Sequence, residues 1–251
     1  MKTARISAYC LLAFLCVAFV LATDLSAGEK AIGKVTQVQG NAVVVRGTSR
    51  LAARVGLEVY PKDVVKTGRK SRVRITLVDN SIVAVDEKSH VDLAEYSFEP
   101  EKKERKAFFS MLTGKIRVFA NRLTGYRKST FDIKTPTAIC GVRGTVFMVW
   151  VQDNNITVVA CYESQVQVAN IMDPSQYVLL DPGLKTAILQ GQAPQVPVLM
   201  TEDELNEFKQ AGFNVGGDVG STTTEGSTTT EPSTSTEATS TTEASSTTTS
   251  T

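Results

Sequence analysis

The stretch Arg72-Val73-Arg74-Ile75-Thr76-Leu77-Val78-Asp79-Asn80-Ser81-Ile82-Val83-Ala84-Val85 reads as two short β-strands joined by a tight turn. Val73, Ile75 and Leu77 alternate with Arg72, Arg74 and Thr76, the two-residue period of a strand with one buried and one solvated face. Asp79-Asn80-Ser81 then supplies turn chemistry, since Asn tolerates a positive φ, and the chain returns through Ile82 to Val85.

The same pattern continues in both directions. Upstream, Val35, Val38, Val43 and Val45 bracket a turn at Gly40-Asn41. Downstream come His90 to Leu93, Ile116 to Phe119, Thr130 to Ile133, the apolar run Thr145 to Val151, Thr157 to Val159, Gln165 to Val168, and Tyr177 to Leu180 before Asp181-Pro182-Gly183. Strands of about five residues at 8–12-residue spacing, with no long helices between them, predict an all-β fold. A hairpin around Asp153-Asn154-Asn155 sets Cys161 near Phe147. One helix is expected near the end: Thr201-Glu202-Asp203-Glu204 has the form of a capping box, with Leu205, Phe208 and Ala211 on one face and Gly212 as the stop.

The chain has 251 residues, 42% hydrophobic and 21% charged, with a formal net charge of +1. These averages cover regions of different character. Residues 1–27 read as a signal peptide: Lys2 and Arg5 precede an uncharged apolar run from Ala8 to Ala22, and Leu25-Ser26-Ala27 offers a cleavage site before Gly28. The run is about 15 residues against the roughly 20 a bilayer span needs. Cleavage is therefore preferred over an uncleaved anchor, and Ala13-Phe14-Leu15 lacks the small residue expected before a lipidated Cys16. The expected location is periplasmic or secreted, with no membrane span after cleavage.

Residues 28–200 form the expected β domain, 201–217 the helix and a linker, and 218–251 a Thr/Ser/Glu-rich tail. Setting aside Lys2, Arg5 and Asp24 of the signal and the five acids of the tail leaves 25 basic and 20 acidic residues. That excess is too mild and scattered to predict nucleic-acid binding. Lys102-Lys103-Glu104-Arg105-Lys106 reads as a solvated polar loop. From Ser221, Glu225, Glu231, Glu237 and Glu243 recur every six residues among Ser and Thr, and no large apolar residue occurs, so disorder is expected. Dense Ser/Thr with Pro also resembles an O-glycosylated stalk.

Several segments, taken in order, carry a family resemblance. They are Gly33-Lys34-Val35-Thr36-Gln37-Val38-Gln39-Gly40; Val55-Gly56-Leu57 with Asp63-Val64-Val65-Lys66-Thr67-Gly68; Leu77-Val78-Asp79-Asn80-Ser81; Ser89-His90-Val91-Asp92-Leu93; and Leu112-Thr113-Gly114-Lys115-Ile116-Arg117-Val118. The most specific is Thr135-Pro136-Thr137-Ala138-Ile139-Cys140-Gly141-Val142-Arg143-Gly144-Thr145-Val146-Phe147. Together, over roughly Gly33 to Gly183, they resemble the FecR domain family, with Pro61-Lys62 and Asn80 departing from its usual glycines. The resemblance implies a solenoid-like stack of short strands and an exported partner-binding module. The family is best known for anti-sigma regulators carrying a cytoplasmic segment and a membrane helix before this domain. Neither is legible here, so sigma regulation is not carried over as the leading expectation.

The residues offer little for catalysis. His90, the one histidine, lies on an alternating strand, and a nucleophilic centre would have to use it. One His and two separated Cys cannot supply zinc, and the three-residue Asp79 and Asp153 turns fall short of a calcium loop. No catalytic residue, metal ligand or cofactor is expected. Cys140 and Cys161, the cysteines left after the signal, are a possible disulfide in an oxidising compartment, worth roughly 3 kcal/mol, or two buried thiols. Arg143, with Gly144 and Thr145, is the candidate interaction corner: its guanidinium either grips a partner carboxylate or locks the turn. Trp150, alternating with Met148, is expected in the core. The leading expectation is a non-catalytic binding or scaffolding module of the bacterial envelope, engaging a protein or a cell-wall glycan. The alternative is the exported component of a sigma/anti-sigma-type relay.

Overall fold

The computed structural model describes residues 29–153 and 155–210, with no side-chain description for 209 and 210. The signal, the expected helix stop at Gly212, and the Thr/Ser/Glu tail lie outside these residues. In chain order the strands are β1 (Gly33–Gln39), β2 (Ala42–Arg46), β3 (Ser49–Ala52), β4 (Glu58–Val59), β5 (Val64–Thr67), β6 (Arg72–Leu77), β7 (Ile82–Val85), β8 (His90–Glu99) and β9 (Glu104–Phe119). They continue as β10 (Lys128–Lys134), β11 (Ala138–Val142), β12 (Val146–Val151), β13 (Thr157–Glu163), β14 (Val166–Asn170), β15 (Tyr177–Leu180), β16 (Leu184–Ile188) and β17 (Val198–Leu199). Among the described residues one helix, α1 (Glu202–Gln210), follows.

The strands form two layers that share β9. The first runs β4-β1-β6-β7-β9-β12-β13-β16-β17, and the second β3-β2-β5-β8-β9-β10-β11-β14-β15. All described pairings are antiparallel except β9 with β10. The chain visits the layers in turn as strands accumulate along the stack, so the protein is all-β in the manner its short, regularly spaced strands predict. The opening hairpin forms as β6 and β7, with Ile75 opposite Val83 and Asn80 at φ 64°.

The layers face each other across one core. Val35, Ile75, Val118, Phe147 and Val149 from the first layer meet Val44, Leu93, Phe109, Phe131 and Ile133 from the second. The 16 residues of β9 pass from one layer to the other at Gly114, whose φ is +95°. Ser89 fills the inside of that bend: its Oγ accepts from the Lys115 N–H at 3.0 Å and donates to the Lys115 carbonyl at 3.2 Å. A Cβ at position 114 would stand 2.4 Å from the Ser89 Cα, so the crossing requires glycine.

Two sequence expectations are corrected here. The Arg105 end of the polar run is not loop: it opens β9, and the Arg105 side chain is 0% exposed. Its inward neighbours on the same period are Ala107, Phe109 and Met111, all buried. The possible Cys140–Cys161 bridge is also absent, and both residues are buried free thiols. Cys140 lies on β11, opposite Ile133 and Val168, whereas Cys161 lies on β13 of the facing layer, opposite Phe147. The hairpin of β12 with β13 sets Cys161 beside Phe147 rather than beside Cys140.

Candidate functional site

The outer face of the first layer, partly covered by α1, carries the most developed surface site. Its floor follows from register. On β12, Phe147, Val149 and Val151 point into the core, which leaves Met148 and Trp150 outside. Trp150 is 38% exposed and is not a core residue, because the inward alternate positions are already taken. A cross-strand row joins Arg74, Ala84, Arg117, Met148, Ala160 and Lys185 on β6, β7, β9, β12, β13 and β16. A neighbouring row places Lys115 beside Trp150, Val158 and Ala187.

Helix α1 is seated on this floor. Its capping box forms as the sequence predicts: the Thr201 N–H donates to Glu204 Oε2 at 2.8 Å, and the Glu204 N–H donates to Thr201 Oγ1 at 3.3 Å. Phe208 stacks on Tyr162 with ring centroids 3.5 Å apart and packs with Ala84 and Val146. Burial, above all, pushes the Tyr162 hydroxyl up to about 12. Glu207 reaches Lys115 at 3.1 Å and Arg117 at 3.5 Å, and Glu204 pairs with Lys185. The hydrogen bond from Lys185 is the main reason the Glu204 carboxyl is held below its ordinary value.

Beside α1 a groove of about 330 Å³ stays open, walled by Trp150, Val158, Val196, Val198 and Met200. A wider trough of about 860 Å³ adjoins it across Trp150, with Lys70, Arg72, Lys88 and Lys115 on its walls. Between them runs a charge ladder: Arg72 Nε to Asp86 at 2.6 Å, Asp86 to Arg117 at 3.1 Å, and Arg117 onward to Glu207. The Lys115 ammonium lies 5.0 Å from the centre of the Trp150 ring. An apolar floor edged by cations can hold a polypeptide segment by burial and ion pairing.

The residues singled out from sequence lie elsewhere. Arg143 is exposed and makes no hydrogen bond or ion pair, so the corner is held by its neighbours. Thr145 exchanges backbone hydrogen bonds with Ala120 and donates through Oγ1 to the Gln165 carbonyl at 3.0 Å. Gly144 has φ +72° and packs against Arg122, 2.5 Å from where a Cβ would meet that side chain. Thr135 and Thr137, at the start of the same motif, both meet Thr157 Oγ1 on the facing layer, at 2.8 and 2.7 Å.

His90 opens β8, half-buried, and burial first and Lys66 second lower its pKa. Among the described residues, no three His, Cys, Asp or Glu side chains converge as a metal site, and no helix is long and apolar enough to cross a membrane. The Asp79-Asn80-Ser81 turn has a structural partner invisible in sequence. Arg105 Nη1 donates to Asp79 Oδ2 at 2.8 Å and to the Asn121 carbonyl at 2.9 Å. The Ser81 hydroxyl donates to Asp79 Oδ2 at 2.8 Å, and the guanidinium lies 5.5 Å from the Phe131 ring centre.

Sequence reasoning missed the outer-face groove. The available signal was Met148 and Trp150 alternating against Phe147, Val149 and Val151, with Lys115 and Arg117 two residues apart.

The architecture defines a two-layer β domain whose outer face carries an open groove. Residues 63–167 match the family model described as FecR protein. The match spans β5 to β14 and includes both the Asp79–Arg105 pair and the Arg143 corner. Two crystal structures of "a putative anti-sigma factor" from Parabacteroides distasonis, at 1.65 and 2.50 Å resolution, are similar at 18% identity, with TM-scores of 0.46 and 0.47. Each alignment covers 59% of this chain and 64% of the other, so the chain spans less than two thirds of those proteins' length. No curated protein gives a significant match.

Proposed function

We propose that this chain is an exported, non-catalytic binding module that serves a regulatory relay of the sigma/anti-sigma type, with its FecR domain recognising a protein partner. The observation that carries this reading is the FecR match over residues 63–167. The apolar, cation-edged outer face supports a protein rather than a glycan as the partner. Its groove is lined by Met148, Val158, Val196, Val198 and Met200 around Trp150, with Lys115, Arg117 and Lys185 among its polar residues, a mixture that suits the apolar anchors and acids of a protein segment. Export rests on the N-terminal sequence, where Lys2 and Arg5 precede the apolar run.

The test is deletion of the gene with re-supply of the full chain, read by transcript profiling and by in-cell crosslinking from the envelope fraction. The expected result is a discrete set of transcripts that changes on deletion, together with recovery of an inner-membrane signalling protein. Arg143→Ala, at an exposed and unpaired position, is a clean arm: it leaves the fold intact and reports whether the corner touches that partner. An unchanged profile, with the chain recovered on purified cell wall, would replace the relay with a wall scaffold.

A further inference from the structure

The outer face of the first layer is already occupied in part, and its occupant shows what the face accepts. Ala84 and Ala160 lie in the middle of the cross-strand row and are buried from outside although they point away from the core between the layers. What covers Ala84 is Phe208 of α1, in a patch completed by Val146, Ile82, Phe119 and Tyr162.

The cations of the same face, Lys115, Arg117 and Lys185, are met by Glu207 and Glu204 of α1. The complementarity is therefore of two kinds at once, an aromatic into an apolar slot and acids onto cations. Two observations show that α1 does not complete the surface. The groove of about 330 Å³ remains open beside it, and Val196 and Val198 on its wall stay exposed at 82% and 53%.

The attachment of α1 is slight. The helix has nine residues, below the length at which an isolated helix is stable in water, so it depends on the face for its order. Of its residues with described side chains only Phe208 is buried, and its ion pairs use carboxylates that are 61% and 39% exposed. Screened pairs of that kind hold weakly. Such an element belongs to the low-stability end of a fold and can leave while the sheet stays folded.

We propose that this face is a docking surface for an acidic, aromatic-bearing amphipathic helix of a partner protein, and that α1 is the chain's own stand-in for that helix. The proposal deepens the reading of the chain as a protein-binding module and rests on it. The partner helix places an aromatic residue in the Tyr162 slot and carboxylates on Lys115, Arg117 and Lys185. Its remaining apolar side chains fill the groove that α1 leaves open. Binding and release of α1 are then coupled, because both use the same slot and cations.

The test uses the full chain and a labelled peptide with the sequence of residues 200–210. In a Phe208→Ala/Glu207→Ala variant, which frees the face, the peptide binds at least tenfold more tightly than to the wild type, measured by fluorescence anisotropy. Adding Lys115→Glu and Lys185→Glu abolishes that gain, and a peptide with its four acids changed to lysine does not bind. A folded variant that ignores the peptide, or that takes both peptides equally, overturns the proposal. Should the variant not fold, hydrogen exchange on the wild-type chain decides instead. Excess acidic peptide strips protection from residues 202–208 if the face exchanges ligands, and unchanged protection at saturating peptide overturns it. Failure here with an intact transcriptional response removes this surface and leaves the relay.

Discussion

Arg105 and Asp79 are each fully buried and tie the turn after β6 to the start of β9. Arg105 Nε and Nη2 find no hydrogen-bond partner among the described residues, so the pair is incompletely satisfied. Beside it, burial first and the Asp79 charge second push the Tyr96 hydroxyl well above the ordinary phenol value. Removing one member of such a pair strands the other, whereas replacing both by apolar groups does not. Asp79→Ala is therefore expected to destabilise the fold by about 3–5 kcal/mol. Asp79→Leu/Arg105→Met together should cost far less, and urea denaturation of the singles and the double decides. Equal losses in single and double would show that the charges themselves are needed.

The thiols make a second prediction at this scale. Burial first, with Asp132 adding to it, pushes Cys140 up to about 12, and burial first, with Asp181 adding to it, pushes Cys161 up to about 11. The folded state keeps these protons longer than the unfolded chain does. Their stabilising contribution is full below the unfolded value near 9 and is lost as pH rises toward 11–12. Each thiol then withdraws up to about 1.4 kcal/mol per pH unit. A Cys140→Ala/Cys161→Ala variant should show a shallower alkaline decline between pH 9 and 11. An identical slope would place the decline elsewhere.

Among the elements, β9 and α1 stand at opposite extremes. The first is paired on both sides in each layer, and its bend depends on one glycine held against Ser89. Gly114→Ala combines an unfavourable φ with a backbone collision, and a loss of at least about 3 kcal/mol is expected on chemical denaturation. A loss under about 1 kcal/mol would mean the bend can re-form without glycine. Helix α1 depends instead on a cap and exposed charges. The Glu204 carboxyl is held low chiefly by Lys185, so its stabilising contribution is present above the ordinary carboxylate range near 4.3 and fades as pH falls through its folded value. Acidification below about pH 4 should increase hydrogen exchange at residues 202–208 before the sheet is affected. Thr201→Ala, which removes the reciprocal cap, should raise exchange there at neutral pH by about fivefold, the effect of roughly 1 kcal/mol. Protection lost together in helix and sheet would contradict both.

At the scale of the whole molecule, β9 makes the two layers one structure. Its two halves are continuous through the bend at Gly114, and a single core cluster joins residues of both layers. Unfolding is therefore expected to be cooperative. Trp150, the only tryptophan, reports the first layer, while far-UV circular dichroism averages both. The two transitions should superimpose across a urea titration, and separated midpoints would mean the layers are independent units.

Much of this architecture was legible along the chain because strand alternation is local. Val73, Ile75 and Leu77 announced a half-buried strand, Asn80 a positive-φ turn, Phe147 the partner of Cys161, and Thr201 with Glu204 a cap. The FecR motifs were legible for the same reason, as short segments in a fixed order. Tertiary structure alone decided what depends on which face meets which. A period of two shows that Met148 and Trp150 share a face but not that this face is the outer one. A run of charges gives no sign that Arg105 is drawn inside, because its partner Asp79 lies 26 residues away. Cys140 and Cys161 are close in sequence, but they belong to facing layers, and only the strand order shows it. The groove beside α1 is the furthest from sequence: it exists where strands β9, β12, β13 and β16 line up and a terminal helix returns across them.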